Sequence, residues 1–156
     1  MFEPIRLAVL CLAMLLPTGV ASAADTVGPA FVGRDASLLI HGQRVRLAGI
    51  YVPPTNFICR TFQSPVICGS RTAVALDFHI GSHMVHCRSL GTYNDGSIAA
   101  VCYLRGSYDE LDLGAYLIRQ GLALAGPDAP FDYIALERIA RSQGRGVWGF
   151  FVDRIE

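Results

Sequence analysis

Lysine is missing from this chain: all 13 of its basic residues are arginine, set against 13 acidic ones for a formal net charge of zero. A neutral chain lacks the overall positive field of a general nucleic-acid binder, so weak or no nucleic-acid binding is expected. No C-x-x-C pair occurs among the cysteines, which argues against a thiolate zinc site, and no H-E-x-x-H pattern occurs either. Internal repeats and low-complexity tracts are absent. The longest apolar run, Leu7 to Leu16, is too short for a comfortable membrane span. What remains, in 156 residues, is enough for one domain with a real core.

The first 23 residues read as a cleaved secretory signal. Arg6 supplies a charged start, the apolar run follows, and Ala21-Ser22-Ala23 presents small residues at the spacing of a peptidase site. A retained anchor is the alternative. Cys11 sits behind Leu10 without the small residue a lipidation site needs. The mature chain, residues 24–156, is then a single domain with no transmembrane segment, placed in the periplasm or outside the cell.

Four cysteines remain after that cut: Cys59, Cys68, Cys87 and Cys102. An even number in an exported chain predicts two disulfides, with three possible connectivities. Cys87 and Cys102 lie in consecutive strand-like runs and are placed to face each other across a hairpin, which leaves Cys59 for Cys68.

The arginines are unevenly spread. Between Arg34 and Arg88 there are six against two aspartates, Asp35 and Asp77; from Arg105 onward there are six against eight acids. Any anion-binding surface therefore belongs to the first half, with Arg44 and Arg46 as its candidates and a solvated hairpin face as the plain alternative.

The most informative stretch runs from Asp35 to Pro54. His41-Gly42 is a two-residue turn between strands, with Gly42 supplying positive φ. Beyond it Val45 and Leu47 alternate with Arg44 and Arg46, so one face enters a core and the other carries guanidinium groups. Pro53-Pro54 ends the ladder. Upstream, Ala30 to Val32 reads as part of a first strand. Thr55 to Pro65 reads as an irregular, disulfide-tied loop. A helix is expected from Cys68 to Ile80, with Val74, Phe78, Ala73 and Leu76 as its buried stripe and Gly81 as its cap. His83 to Leu90 and Ile98 to Leu104 read as strands about the Asn94-Asp95-Gly96 turn, the second being the last of the fold. After a polar connection at 105–110, Asp112 caps a helix that stops near Gly121. An amphipathic helix from about Asp132 to Gln143 follows, carrying Ile134, Leu136, Ile139 and Ala140. The segment from Gly144 to Phe150 tucks Trp148 against the sheet.

The phrase G-Q-R-V-R-L-A-G-I-Y-V-P-P resembles the signature strand of the staphylococcal nuclease-like (thermonuclease) family, G-x-x-I-R-L-x-G-I-D-A-P-E. C-G-S-R-T-A-V-A-L, D-L-G-A-Y-L-I-R-Q-G-L-A-L-A and Y-I-A-L-E-R-I-A-R-S-Q-G-R-G-V-W are similar to its three helices, in order, so the resemblance spans Phe31 to Phe151. It implies an α+β, mainly β fold: a five-stranded OB-type barrel with three helices. Active members are calcium-dependent phosphodiesterases on DNA and RNA.

That chemistry asks for a hard cation held by carboxylates, a carboxylate base and arginines on the phosphoryl oxygens. Carried over by position, the family's catalytic arginine is Arg46. Its two calcium-binding aspartates fall on Ala36 and Tyr51, its base on Pro54, its second arginine on Ser97, and the aspartate of the same turn on Tyr93. Only Arg46 is kept. Losing one preorganised donor costs about a hundred- to a thousandfold in rate, so calcium catalysis is not expected, and neither a metal nor another cofactor is assigned. The alternative is an active enzyme with a calcium site rebuilt from Asp35, Asp95 and Arg46, which needs a bulge to re-aim Asp35. The expected role is a binding or scaffold module for an anionic ligand or an envelope protein. Arg46 then serves either as a structural ion-pair partner or as a contact to a phosphate or carboxylate. Tyr51, Tyr93 and Phe57 form either an aromatic rim over the cleft or ordinary loop packing. His79, His83, His86 and Cys87 invite a zinc or copper reading beside the plainer one of a polar surface cluster, with Cys87 better used in a disulfide, and Asp77 reads as a salt-bridge partner.

Overall fold

The structure is a computed structural model that describes residues 25–60, 65–104 and 112–149. In chain order its strands and helices are β1 (Thr26–Gly28), β2 (Phe31–Val32), β3 (Leu38–Ile40), β4 (Gln43–Leu47), β5 (Ile50–Tyr51), β6 (Ile58–Arg60), β7 (Pro65–Ile67), α1 (Arg71–Ile80), β8 (Val85–Thr92), β9 (Ile98–Leu104), α2 (Leu113–Arg119), β10 (Leu124–Ala125) and α3 (Phe131–Ser142). A single 3-10 turn, Gly146–Trp148, follows. The fold is α+β, richer in strand than in helix, with three α-helices among the described residues. The signal segment 1–23, the connection 105–110 and Phe150 lie outside the described residues, as do residues 61–64 of the Thr55–Pro65 loop.

The main sheet has the order β1-β8-β9-β4-β3-β2. Its pairs are antiparallel except β4 with β9, which run parallel with Arg46 opposite Ala99. The two outermost strands, β1 and β2, are neighbours in the chain, separated by Pro29 and Ala30 alone. Proline has no N–H to give a ladder, so it breaks the strand and lets its two halves pair with opposite ends of the sheet. The sheet is thereby curled into a half-barrel. Its concave side is filled by Leu38, Ile40, Val45, Val85, Ala100 and the Cys87–Cys102 pair, all buried, against Leu76 and Ile80 of α1 and Leu117 and Ile118 of α2.

The hairpin turn is as the sequence predicts: His41 and Gly42 both have positive φ, at 50° and 78°, as a two-residue turn requires. The alternation also holds, with Val45 and Leu47 buried and Arg44 and Arg46 exposed. The strand Ile98 to Leu104 is found to the residue, and Asp112 caps α2 by accepting from the Ala115 N–H at 2.7 Å. The same carboxylate accepts from the Tyr133 hydroxyl at 2.6 Å, tying α2 to α3. Burial, with Asp112 beside it, pushes that phenol well above its ordinary range.

Several elements differ from the sequence reading. Helix α1 starts at Arg71 rather than Cys68, and its buried stripe is Thr72, Leu76 and Ile80. Val74 and Phe78 face outward, 56% and 84% exposed. Both sets are spaced four apart; Thr72 counts as polar in the sequence, yet its hydroxyl donates to the Leu122 carbonyl at 2.6 Å and is buried at no loss of hydrogen bonding. In α3 it is Tyr133 and Ala140 that are buried, while Ile134 and Ile139 are exposed. The disulfide-tied segment is not irregular, because β6 and β7 pair antiparallel. Leu104 does not end the strands: β10 pairs with β5, setting Leu124 opposite Tyr51. Trp148 packs not on the main sheet but on a separate small cluster with Cys59, Cys68, Val147 and Phe57. The cause is local, since the Val147 N–H donates to the Gly121 carbonyl at 2.9 Å and holds the 3-10 turn at the end of α2.

Both disulfides are present as Cys59–Cys68 and Cys87–Cys102, the second joining directly opposed residues of β8 and β9. Closing loops of 9 and 15 residues stabilises by about 3 kcal/mol each in the chain-entropy model, the longer loop slightly more. Replacing Cys87 and Cys102 together by Ala is expected to remove about that much, read as the urea midpoint. The α1 face is tested in the same way. Leu76→Ala should cost about 2–5 kcal/mol, whereas Phe78→Ala should stay within about 0.5 kcal/mol; the reverse ranking would restore the Val74–Phe78 stripe.

Candidate functional site

Two turns flank the outer face of β4, and they are built alike. In the first, the Gly33 N–H donates to the Ser37 carbonyl at 2.7 Å and the Ala36 N–H to the Gly33 carbonyl at 2.9 Å. In the second, the Tyr93 N–H donates to the Ser97 carbonyl at 2.8 Å and the Gly96 N–H to the Tyr93 carbonyl at 2.9 Å. Each is a three-residue hairpin loop whose last residue takes positive φ, 58° at Ala36 and 79° at Gly96. Glycine takes this conformation freely; alanine holds it at a cost of about 1–2 kcal/mol, which burial of its methyl against the core offsets in part.

The side chains repeat as well. Asp35 Oδ1 accepts from the Ser37 hydroxyl at 2.7 Å and from the Ser37 N–H at 3.3 Å. Asp95 Oδ1 accepts from the Ser97 hydroxyl at 2.5 Å and from the Ser97 N–H at 3.0 Å. Each aspartate then meets one of the two outward arginines of β4. Arg44 is hydrogen-bonded to Asp35 Oδ2, and its Nε donates to the Ser37 hydroxyl at 3.3 Å. Arg46 Nη1 lies 3.8 Å from Asp95 Oδ2, an ion pair too long to be a hydrogen bond, and its guanidinium sits 4.6 Å from the centroid of the Tyr93 ring. All four charged side chains are about half exposed, so these pairs hold geometry more than they add stability.

Beside the first turn lies a cleft of about 190 Å³, lined among others by Asp35, Ser37, Arg46, Ile50, Tyr51 and Val52. Of the residues singled out in the sequence, Arg46, Asp35, Ala36 and Tyr51 meet here. Asp35 lines the cleft with its carboxylate held by Ser37 and Arg44. Asp95 pairs with Arg46 from the other turn and does not line the cleft. Arg44 and Arg46 thus face solvent with their charges matched. Tyr51 is exposed at the cleft and Tyr93 backs Arg46, whereas Phe57 belongs to the Cys59–Cys68 cluster, so the three aromatics form no common rim. Pro54 is pinned elsewhere: an added Cβ on Gly69 would lie 1.7 Å from its carbonyl oxygen, so the two backbones are in direct contact.

The histidines do not converge. His79 stacks on Tyr116 at 3.6 Å, the His83 ring nitrogen Nδ1 lies 3.0 Å from the Ile80 carbonyl, and His86 is exposed on β8. Among the described residues no three His, Cys, Asp or Glu side chains are grouped to hold a metal. The Asn94-Asp95-Gly96 turn is legible in the sequence, while the first turn and its likeness to the second emerge from the structure, although a signal is there: D-A-S at 35–37 and D-G-S at 95–97 occupy the same place in two hairpin loops.

These features define a class: an α+β domain with a curled sheet, two disulfides and a small cleft against its first hairpin, and with no helix among the described residues long and apolar enough to cross a membrane. No family model matches the chain. Over 141 residues it is 30% identical to the succinoglycan biosynthesis protein ExoI of Rhizobium meliloti (strain 1021), an alignment that covers 88% of this chain and 72% of that protein. The chain belongs to the family of that protein.

The two aspartates carry a pH signature. At Asp35, burial raises the pKa, but the hydrogen bonds from Ser37 and Arg44 outweigh it and the net shift is downward from 3.8. At Asp95, the Ser97 hydrogen bonds lead and Arg46 adds to them, again lowering the pKa from 3.8. A carboxylate with a depressed folded-state pKa adds stability above its unfolded value and loses it as pH falls through the folded one. Near neutral pH the contribution of these groups is full and the melting temperature should not vary with pH through them, whereas it should fall on acidification below about 3.8. In a Ser37→Ala/Ser97→Ala variant that acid-side fall should be shallower, and an unchanged slope would refute the linkage.

Proposed function

We propose that this protein is an exported, nuclease-like OB domain without calcium-dependent nuclease activity, acting as a binding or scaffold module in the biosynthesis of a glycan. The OB reading is supported by connectivity. With Thr26–Val32 counted as one strand bent at Pro29, the main sheet has five strands, and the two halves of that strand meet both of its ends. The three helices lie in the segments that are similar to the helices of the staphylococcal nuclease-like family, in the same order, which supports the reading. Export is supported by the two disulfides, which persist in oxidising compartments, and by the signal-like N-terminus. The glycan comes from the relative, whose name places it in succinoglycan biosynthesis.

One observation carries the loss of catalysis. Where the resemblance calls for carboxylates open to a metal, the cleft offers Ala36 and Tyr51, while Asp35 is held by Ser37 and Arg44 and Asp95 by Ser97. A hard cation needs several free oxygen donors, and a phosphodiester needs an activated water that nothing in the cleft provides.

Purified protein should leave single-stranded DNA and RNA intact with calcium and with chelator alike. Chelator-sensitive cleavage that vanishes in Arg46→Ala would overturn the reading in favour of the rebuilt Asp35–Asp95–Arg46 enzyme. Calcium should also leave the melting temperature unmoved, since a working site would add about 2.7 kcal/mol at a hundredfold excess over its Kd.

A further inference from the structure

We propose that the cleft between the first turn and β5 binds an uncharged oligosaccharide, one sugar ring at a time, with Tyr51 as its platform. This deepens the binding-module reading and rests on it.

Charge is the first argument. Arg44 faces Asp35 and Arg46 faces Asp95, so the outer face of β4 presents two cations and two anions at close range. A polyanionic chain laid along it would gain from the guanidinium groups and lose to the carboxylates. A neutral polyhydroxyl ligand meets no such conflict, and in the cleft it meets one member of each pair, Asp35 and Arg46. Its hydroxyls donate to carboxylate lone pairs and accept from guanidinium N–H groups. Arg46 is suited to this: its contact to Asp95 at 3.8 Å is too long to consume a donor, and Tyr93 supports the guanidinium from one side.

Shape is the second. The cleft is lined by polar groups, Asp35, Ser37 and Arg46, together with apolar ones, among them Leu47, Ile50, Val52 and the half-exposed ring of Tyr51. A pyranose has a similar mixture, with hydroxyls around its edge and C–H groups on its faces. Aromatic rings with an apolar face and a polar edge suit such a ligand. At about 190 Å³ the cleft is smaller than the ~300–1,000 Å³ that engulfs a whole small molecule. One unit of a longer chain fits, with the rest running over the open surface. OB-type barrels take oligosaccharides as well as oligonucleotides on this kind of surface.

The test is amide-resolved NMR titration of the full protein with cellohexaose and laminarihexaose as neutral probes, hexagalacturonate as an acidic one and hexathymidylate as a nucleic-acid one. A neutral probe should shift the amides of residues 35–37 and 50–52 saturably, with an affinity that does not change from low to high salt. Tyr51→Ala should weaken it by about tenfold and leave the melting temperature unchanged. Failure of both neutral probes to shift those amides, or equal binding by Tyr51→Ala, overturns the inference. So does tighter, salt-sensitive binding of the acidic probe or of hexathymidylate, although a binding module would then still stand. The module reading itself falls on a different result, calcium-dependent cleavage of the nucleic-acid probe.

Discussion

Strand Gln43–Leu47 is held on both edges, antiparallel to Leu38–Ile40 and parallel to Ile98–Leu104. That double pairing fixes its register, and a side-chain period of two does the rest. Val45 and Leu47 must enter the core, so Arg44 and Arg46 must leave it, pointing to where the two flanking hairpins bring their turns. Slip the strand by one residue and two guanidinium groups would be buried without partners, a cost that no other contact of the sheet could offset. The outer face of the domain therefore follows from the packing of the inner one.

On that outer face the two turns act as a matched pair of clamps. Each fixes its aspartate with the hydroxyl and N–H of a serine two residues on, so that the carboxylate is already oriented when the arginine arrives. Preorganisation of this kind is what metal sites also require, and the two uses compete. A carboxylate committed to serine and arginine has little left to offer a cation. What remains is a small cleft lined by polar and apolar groups, with no excess charge. That character, more than any single residue, is why a neutral ligand is the one we favour.

Local pattern carried much of the fold into the sequence. His41-Gly42, the alternation through Leu47, the strand at 98–104, the Asp112 cap and both disulfide pairings were legible because each depends on residues close in the chain or on two consecutive strands. The misreadings share a cause. In Arg71–Ile80 two apolar stripes with the same spacing compete, and the choice fell to Thr72, whose hydroxyl finds a carbonyl 50 residues away. Trp148 went to the Cys59–Cys68 cluster because a backbone hydrogen bond to Gly121 left it no path to the main sheet.

By itself, then, the sequence determined which residues of the first hairpin are inside and which outside, since alternation and turn geometry are properties of a few adjacent residues. It also determined that Ala36 and Tyr51 stand at the positions where the nuclease-like resemblance expects carboxylates, because identity at a position needs no coordinates. Only the tertiary structure decided what the remaining charges do. Asp35 and Arg44, and Asp95 and Arg46, meet because β4 lies between two hairpins whose turns rise on the same side, and that depends on how distant strands pair rather than on any local preference.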